Sequence, residues 1–307
     1  MKISVIIATY NRSDMLAVAL QSLTQMTVPP DLDFEILIVN NNSRDSTQAV
    51  ADSFVRRNPA CFRYIFEPRQ GKSFALNTGV AAARGGILAF TDDDITVHPD
   101  WAVELCRTIE TFRCAGVGGK IVPVWNVPKP DWLEMEGPHK LMNAVVSFDL
   151  GPKPCPITTA AFGANYAFKK EVFQKYGAFR TDLGPTVGSE IRGEDSELCR
   201  RLIKAGETLI YSPTAIVYHP VERHRTEKRY FQAWYLGRGR ASIREVGVPK
   251  GAVRYFGVPR YMFLPLFGNL LKWVFSTSPR LRFYYKLQLC EILGQILEAV
   301  SNSQESK

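Results

Sequence analysis

The sequence lacks the features of a metal ribbon, a disulfide framework or a repeat protein. Its six cysteines form no CxxC pair, and most of them stand inside apolar segments. Its 307 residues contain no low-complexity tract and no repeat period. These absences exclude collagen-like, solenoid and largely disordered chains. We therefore expect the cysteines to be reduced core residues of a cytoplasmic protein.

The sequence also lacks a signal peptide and a long hydrophobic run. The first apolar run, Ile3 to Ala8, is short and has no small-residue cleavage site after it, so we expect a first β-strand there. The most apolar later segment, Tyr261 to Phe275, is interrupted by Pro265, Asn269 and Lys272. It falls short of the roughly 20 residues that a spanning helix needs.

Acidic residues are scarce where the basic ones are concentrated. The segment from Arg223 to Arg260 has ten basic residues and two acidic ones, Glu227 and Glu245. Its net charge of +8 therefore equals the net charge of the whole chain. Nucleic acid, anionic lipid and a polyphosphate ligand all suit such a charge. The apolar segment that follows favours a helix lying on a membrane surface. A helical hairpin packed on the body of the protein or on a second subunit is the alternative.

Short apolar runs alternate with amphipathic stretches in the first half, which predicts β-α-β units and a mainly parallel sheet. The predicted strands are Ile3–Ala8, Phe34–Val39, Phe62–Phe66 and Ile87–Phe90. Helices are predicted after Ser13, over Asp45–Arg57, after Gly71 and over Pro99–Phe112.

The second half is less regular and rich in proline between Pro123 and Pro156. We expect strands at Ala164–Phe168, Thr208–Tyr211 and Ile216–Tyr218, and helices at Lys170–Tyr176 and Glu194–Ala205. The predicted globular body ends near residue 222, and residues 223–307 form a helical extension. Within the body, residues 1–118 and 119–222 are the two predicted halves.

Polar clusters follow three of the predicted strands. They are Thr9-Tyr10-Asn11, Asn40-Asn41-Asn42-Ser43 and Asp92-Asp93-Asp94. Ligands of open parallel sheets gather at the carboxyl ends of the strands, so these clusters predict one site. Three adjacent carboxylates repel one another unless a cation offsets their charge, and Mg²⁺ or Mn²⁺ is the natural choice. A solvated acidic turn before the next helix is the alternative.

Five segments together resemble the family 2 glycosyltransferases of GT-A fold. They are Ser4–Arg12 (SVIIATYNR), Val39–Thr47 (VNNNSRDST), Gly71–Gly79 (GKSFALNTG), the acidic triplet, and Gly193–Leu202 (GEDSELCRRL). They occur in the order and at the spacing of that family over about the first 220 residues. The resemblance implies an α/β fold with a mainly parallel, Rossmann-like sheet flanked by helices.

The resemblance also implies a nucleotide-sugar site. Ala8, Thr9 and Tyr10 would line the base and ribose. Where the family has an aspartate for the base, this sequence has Asn40 or Asn41, which weakens an assignment of uracil although a UDP-sugar remains the expected donor. The remaining expected contacts are Lys72 for the base or phosphates, and Asp92 and Asp93 for the ribose or metal.

Metal and catalytic roles follow from the same resemblance. Asp94 would bind Mn²⁺ or Mg²⁺, with Asp92 and His219 as further ligands. Asp195 would be the general base of an inverting transfer, and Glu194 would orient the acceptor or hold a nearby arginine such as Arg192. Acidic residues in a first helical turn also suit the helix dipole without any catalytic role. A QxxRW motif of processive members is absent, since Ala233 and Trp234 follow Gln232. This favours transfer of one sugar.

The sequence therefore predicts transfer of a sugar to a hydroxyl of a saccharide or lipid-linked acceptor, with peripheral contact to the cytoplasmic face of a membrane. Two other interpretations stay open. A sugar nucleotidyltransferase would need a glycine-rich loop after the first strand, and TYNRSDM has no glycine. A basic nucleic-acid-binding protein would need RNP-like or helix-turn-helix patterns, which are not evident, so no nucleic-acid partner is expected.

Overall fold

The computed structural model describes residues 3–30, 32–189 and 191–305, with side chains through residue 301. The chain divides into two compact units. Unit 1 comprises Met1–Val124, Val146–Thr181 and Glu194–Pro220. Unit 2 comprises Trp125–Val145, Asp182–Gly193 and Val221–Lys307. The domain boundaries drawn from the sequence at residues 118 and 222 stay predictions.

The first half of unit 1 is a parallel sheet with helical connections. Its strands are β1 (Ile3–Thr9), β2 (Phe34–Asn40), β3 (Phe62–Phe66) and β4 (Ile87–Thr91), in the spatial order β3-β2-β1-β4. Its helices are α1 (Ser13–Thr24), α2 (Thr47–Arg57) and α3 (Lys72–Ala82). Helix α1 buries Leu16, Ala19, Leu20 and Leu23, which confirms the helical spacing in the sequence.

The second half of unit 1 extends this sheet in antiparallel pairs. The further strands are β5 (Thr96–Val97), β6 (Gly116–Trp125), β7 (Cys155–Pro156), β8 (Asn165–Lys169) and β9 (Leu209–Val221). Strand β8 pairs antiparallel with β4 and with β6, and β9 with β5 and β7. Helices α4 (Trp101–Phe112), α5 (Lys170–Tyr176) and α6 (Glu194–Lys204) complete this half. The sheet is therefore mixed, with its parallel part in the first half.

Strand β6 is an element that the sequence did not predict. Its glycines hide the β pattern, yet they let it lie between neighbours. A Cβ at Gly119 would stand 2.3 Å from the Ala215 carbonyl oxygen, and one at Gly116 would stand 2.3 Å from a ring carbon of Phe168. Close backbone approach, and not turn formation, explains these glycines. Likewise, β9 is one continuous strand where the sequence predicts two, with Pro213 between them.

Unit 2 is mostly helical. It contains α7 (Lys228–Val246), a two-stranded ribbon of β10 (Arg254–Tyr255) and β11 (Val258–Pro259), α8 (Phe263–Phe275) and α9 (Pro279–Glu305). Its main cluster packs Trp132 edge-on against Phe231 and Phe283, with ring centroids 5.0 and 4.9 Å away. Among the described residues, no helix combines the length and the apolar character that crossing a membrane requires.

Helices α7 and α9 approach each other at two glycines. A Cβ at Gly239 would stand 1.9 Å from the Glu291 carbonyl oxygen, and one at Gly294 would stand 2.1 Å from that of Leu236. Ion pairs also join α7 and α9. Glu298 of α9 is buried, at 3% exposure. It accepts hydrogen bonds from Arg240 at 2.9 Å and Arg244 at 2.5 Å. Part of the basic segment therefore serves the packing of unit 2.

Gly239→Ala should destabilise the chain, and Gly268→Ala should not. Both glycines are helical, but a Cβ at Gly268 meets nothing within 4 Å. We expect Gly239→Ala to lower the free energy of unfolding by about 1–3 kcal/mol, because α9 must shift. Gly268→Ala should raise it by up to about 1 kcal/mol through helix propensity. Urea unfolding of both variants checks this, and equal effects would contradict the described contact.

Candidate active site

The parallel strands bring the predicted polar clusters to one edge of the sheet. Thr9 lies opposite Asn40 in the register of β1 and β2, and Ile7 lies opposite Thr91 in that of β1 and β4. The acidic triplet follows Thr91 directly. The carboxyl ends of these three strands therefore form one surface in unit 1, as the sequence predicts.

Asp92, Asp94 and His219 form a group that is able to hold a metal ion. Each offers one ligand atom, and these atoms lie within 4.8 Å of one another. His219 is 1% exposed, and its Nε2 stands 3.6 Å from Asp94 Oδ1. Its Nδ1 is 3.0 Å from the Pro220 carbonyl oxygen, which only accepts hydrogen bonds. With the proton on Nδ1, the lone pair of Nε2 faces Asp94, as in a metal-binding histidine.

Lys72 partly neutralises this group. It stands in the first turn of α3, and its Nζ donates to Asp92 Oδ1 at 2.5 Å. Burial by itself would raise the pKa of Asp92, but the nearby Lys72 ammonium outweighs it and holds that pKa at about 2. Burial by itself would lower the pKa of Lys72, and the surrounding carboxylates raise it instead. The pair is therefore charged at neutral pH.

Arg12 neutralises the other two carboxylates of the triplet. Its guanidinium lies 3.2 Å from Asp93 Oδ1 and 3.1 Å from Asp94 Oδ2. Burial raises the pKa of Asp93 to about 6 against the effect of Arg12, with Asp94 adding to the rise. Sequence reasoning gave Arg12 no role. Its position just after β1, at the same sheet edge as the triplet, was the available signal.

Glu194 lies in the first turn of α6, on the other side of Lys72. Its Oε1 is 3.8 Å from Lys72 Nζ, and the residue is 3% exposed. Burial, and then the charge of Asp195, raise the pKa of Glu194 to about 7 in spite of Lys72. Lys72 therefore contacts carboxylates on both sides: Asp92 of the metal-ligand group and Glu194, the neighbour of Asp195.

Asp195 is half-buried and its carboxylate is held in place by the main chain. The Gly163 amide donates to Asp195 Oδ2 at 2.7 Å, and the Ser196 amide donates to Oδ1 at 2.6 Å. A Cβ at Gly163 would stand 3.1 Å from Asp195 Oδ2, so glycine gives this amide its access. The more exposed of the two acids is therefore held by two main-chain amides.

The side-chain amides of Asn40 and Asn41 form hydrogen bonds within the protein. Asn40 donates to the Tyr64 hydroxyl at 3.0 Å and accepts from the Ser43 amide at 2.9 Å. Asn41 donates to the Arg69 carbonyl at 2.6 Å and accepts from the Gly71 amide at 2.8 Å. These bonds shape the loop that leads to Lys72. The predicted base contact of either residue stays a prediction.

The other predicted nucleotide residues lie at the end of β1. Ala8 and Tyr10 are half-buried, and Thr9 between them is buried. The loop after them is fixed to the loop after β2, because Asn11 Oδ1 accepts from the Arg44 amide at 2.7 Å. The residues at this edge thus form a preorganised wall next to Arg12.

The family model described as Glycosyl transferase family 2 matches residues 4–177, which is more than half of the chain. The chain belongs to glycosyltransferase family 2. The matched residues include β2 to β8, Lys72 and the acidic triplet, and the match favours the transferase over the two other interpretations of the sequence.

The glycosyltransferase is similar in sequence to a curated glucuronosyltransferase and to a curated polysaccharide biosynthesis protein. It is 28% identical over 232 residues to a glucosyl-dolichyl phosphate glucuronosyltransferase of Haloferax volcanii, covering 74% of this chain and 72% of that protein. It is 26% identical over 220 residues to the succinoglycan biosynthesis protein ExoM of Rhizobium meliloti, covering 71% and 67% of the respective chains.

A solved structure shares its fold. The mannosyltransferase PcManGT from Pyrobaculum calidifontis, solved in complex with GDP-Man and Mn²⁺, superposes with a TM-score of 0.59 at 19% identity. The match covers 99% of this chain and 75% of that one. The GT-A fold expected from the sequence is thereby confirmed.

Asp94→Asn should abolish metal-linked nucleotide binding, because one charged ligand of the Asp92, Asp94 and His219 group is lost. A ligand that binds only the folded state raises its stability. We expect a nucleoside diphosphate with Mn²⁺ to raise the melting temperature of the parent chain but not of Asp94→Asn. The exposed Asp100→Asn, which makes the same exchange outside this group, is the control and should keep the shift. A full shift in Asp94→Asn would remove Asp94 from the metal site.

Glu194→Gln should make stability less dependent on pH in metal-free buffer. The pKa of Glu194 rises from 4.5 to about 7 on folding, so between these values the folded chain binds more protons than the unfolded one. Stability therefore falls as the pH rises from about 5 to about 8. The variant should lose part of that fall, at most about 3 kcal/mol.

Urea unfolding with a chelator at both pH values measures the difference. The exposed Glu110→Gln is the control and should keep the decline of the parent. The same decline in Glu194→Gln would show that ionisation of Glu194 does not oppose folding.

Proposed function

We propose that the chain is a metal-dependent, inverting glycosyltransferase that moves one sugar from a nucleoside-diphosphate sugar to a hydroxyl acceptor. The observation that carries the proposal is the row of charges within unit 1. The Asp92, Asp94 and His219 group leads through Lys72 to Glu194 and its neighbour Asp195. One end suits the diphosphate of a donor, and the other suits an acceptor hydroxyl.

Asp195 is the proposed general base. Its half-buried carboxylate is within reach of an acceptor, whereas Glu194 is closed off from solvent. The acceptor oxygen attacks the anomeric carbon while Asp195 takes the hydroxyl proton, and the bond from that carbon to the diphosphate oxygen breaks. The Gly163 amide keeps the accepting oxygen in one orientation. Because the attack comes from the face opposite the leaving diphosphate, the product has inverted configuration.

Asp92, Asp94 and His219 are the proposed ligands of Mn²⁺ or Mg²⁺. Two carboxylates with one imidazole fit such an ion, and the Pro220 carbonyl fixes the imidazole in the ligating tautomer. When bound, the ion would offset the negative charge that develops on the departing diphosphate. Arg12 and Lys72 stand at the same carboxylates and would add positive charge beside the phosphates.

The proposed donor and acceptor rest on the residues near the ends of β1 and β2 and on the curated relatives. Ala8, Thr9, Tyr10, Asn40 and Asn41 are the proposed surroundings of the base, with a UDP-sugar as the expected donor. The names of the two curated relatives involve a dolichyl phosphate and succinoglycan, which supports a lipid-linked or polysaccharide acceptor. All six cysteines are free in the structure, which fits the proposed location at the cytoplasmic face of a membrane.

Asp195→Asn should keep donor affinity and reduce transfer by roughly 10²- to 10⁴-fold, because the amide accepts no proton. The measurement is release of nucleoside diphosphate from the nucleotide sugar that stabilises the chain most, together with calorimetric binding of that donor. Proton NMR of the product reads the anomeric configuration.

The control is Glu197→Gln, which removes another acid from the first turn of α6. Glu197 pairs with Arg201 at 2.8 Å and belongs to the helix, not to the acidic pair. If the acids serve only the helix dipole, both variants should behave alike. Normal turnover of Asp195→Asn would refute its role as base.

A further inference from the structure

Helix α8 is apolar but contributes no buried residue. None of its 13 residues is buried, although most are large and hydrophobic. Leu264 is 82% exposed and Phe275 is 76% exposed, while Phe267 and Leu271 are each 57% exposed. A helix of a globular unit normally turns its apolar stripe inward. The exposure of α8 therefore calls for a partner.

The exposed side chains share one side of the helix. Leu264, Phe267, Leu271 and Phe275 follow the spacing i, i+3, i+7 and i+11, which puts them in one stripe. We call these four residues the α8 stripe. Contacts with α9 involve other positions, since the guanidinium of Arg282 lies 5.9 Å from the Trp273 ring centroid. Helix α8 is thus held within unit 2 while its stripe stays open.

The segment of sequence around the stripe has an excess of basic residues. From Val246 to Cys290 the sequence has seven basic residues and no acidic one. Six of the seven are exposed in the structure, namely Lys250, Arg260, Lys272, Arg280, Arg282 and Lys286. Upstream, Arg240 and Arg244 are paired with Glu298 on α9. Arg280 is also paired, with Glu134 at 2.9 Å. The exposed positive charge of this segment therefore comes mainly from the other five residues.

These features select the partner. A second copy of this chain, meeting it through the same face, would bring two surfaces with an excess of positive charge together, and they would repel each other. An anionic lipid bilayer offers apolar chains for the stripe and negative headgroups for the lysines and arginines. At 1.5 Å per residue α8 is about 20 Å long, which suits a helix lying in the interface and not one crossing it.

We propose that α8 lies flat in the headgroup region of an anionic membrane, with the α8 stripe buried among the upper acyl carbons. The exposed side chains of Lys250, Arg260, Lys272, Arg282 and Lys286 contact the lipid phosphates around it. This inference stands on unit 2 alone and does not depend on the proposed catalytic residues.

The test is sedimentation of the full chain with lipid vesicles. Vesicles of phosphatidylcholine with about one-third phosphatidylglycerol should bind the chain, and salt near 0.5 M or vesicles without phosphatidylglycerol should weaken binding. Phe267→Ser with Leu271→Ser should lower the partition coefficient at least about tenfold, because two apolar side chains lose their lipid environment. Substitution is preferable to deletion, since α9 packs on α7.

The matched control removes two exposed apolar side chains from unit 1. Val18 is 59% exposed and Phe112 is 45% exposed. Val18→Ser with Phe112→Ser should bind like the parent chain. Both double variants should keep the thermal unfolding curve of the parent and its donor binding, which separates membrane binding from catalysis.

Three outcomes would overturn the proposal. The first is that the parent chain fails to sediment with anionic vesicles. The second is that the α8 double variant sediments as well as the parent. Alternatively, the parent self-associates without vesicles in analytical ultracentrifugation and the α8 double variant does not, which would assign the stripe to a second copy.

Discussion

The constraint on which the active site depends is the repulsion among carboxylates that are removed from water. Asp93, Asp94 and Glu194 are all less than one-tenth exposed, and each would be costly to ionise alone. Lys72 and Arg12 offset part of this cost, because their positive charges lie next to the carboxylates. The balance is incomplete, because burial still raises the pKa of Asp93 and of Glu194. A divalent cation is the natural complement of such a site.

The fold supplies the means to bring these groups together. Parallel strands β1 and β4 end side by side, so Arg12 and the acidic triplet meet although about 80 residues separate them. Helices α3 and α6 present Lys72 and Glu194 in their first turns, and these two side chains approach to 3.8 Å. A helix N-terminus carries partial positive charge, so both helix starts add to the balance. The site is thus assembled from element ends and needs no dedicated domain.

The sequence predicts most of this and misses the rest for physical reasons. Helix α1 and the strands of the first half show clear periodicity, and the acidic clusters stand where strands end. Strand β6 is not predicted, because three glycines and a proline among its ten residues hide the pattern of a β-strand. The fit of Gly119 becomes visible only beside the Ala215 carbonyl. Arg12 and Gly163 escape because their partners are distant in the chain, and one sequence does not record such pairs.

The contact between Gly163 and Asp195 has a consequence for how the site tolerates change. A carboxylate oriented by a neighbouring side chain loses its orientation whenever that side chain is replaced. Asp195 takes its orientation from a peptide amide, which nearly every residue type possesses. Scanning the surrounding side chains with alanine would therefore leave this support undetected. Replacing the neighbouring side chains therefore leaves this hydrogen bond in place, whereas a Cβ added at position 163 would press on the carboxylate at 3.1 Å.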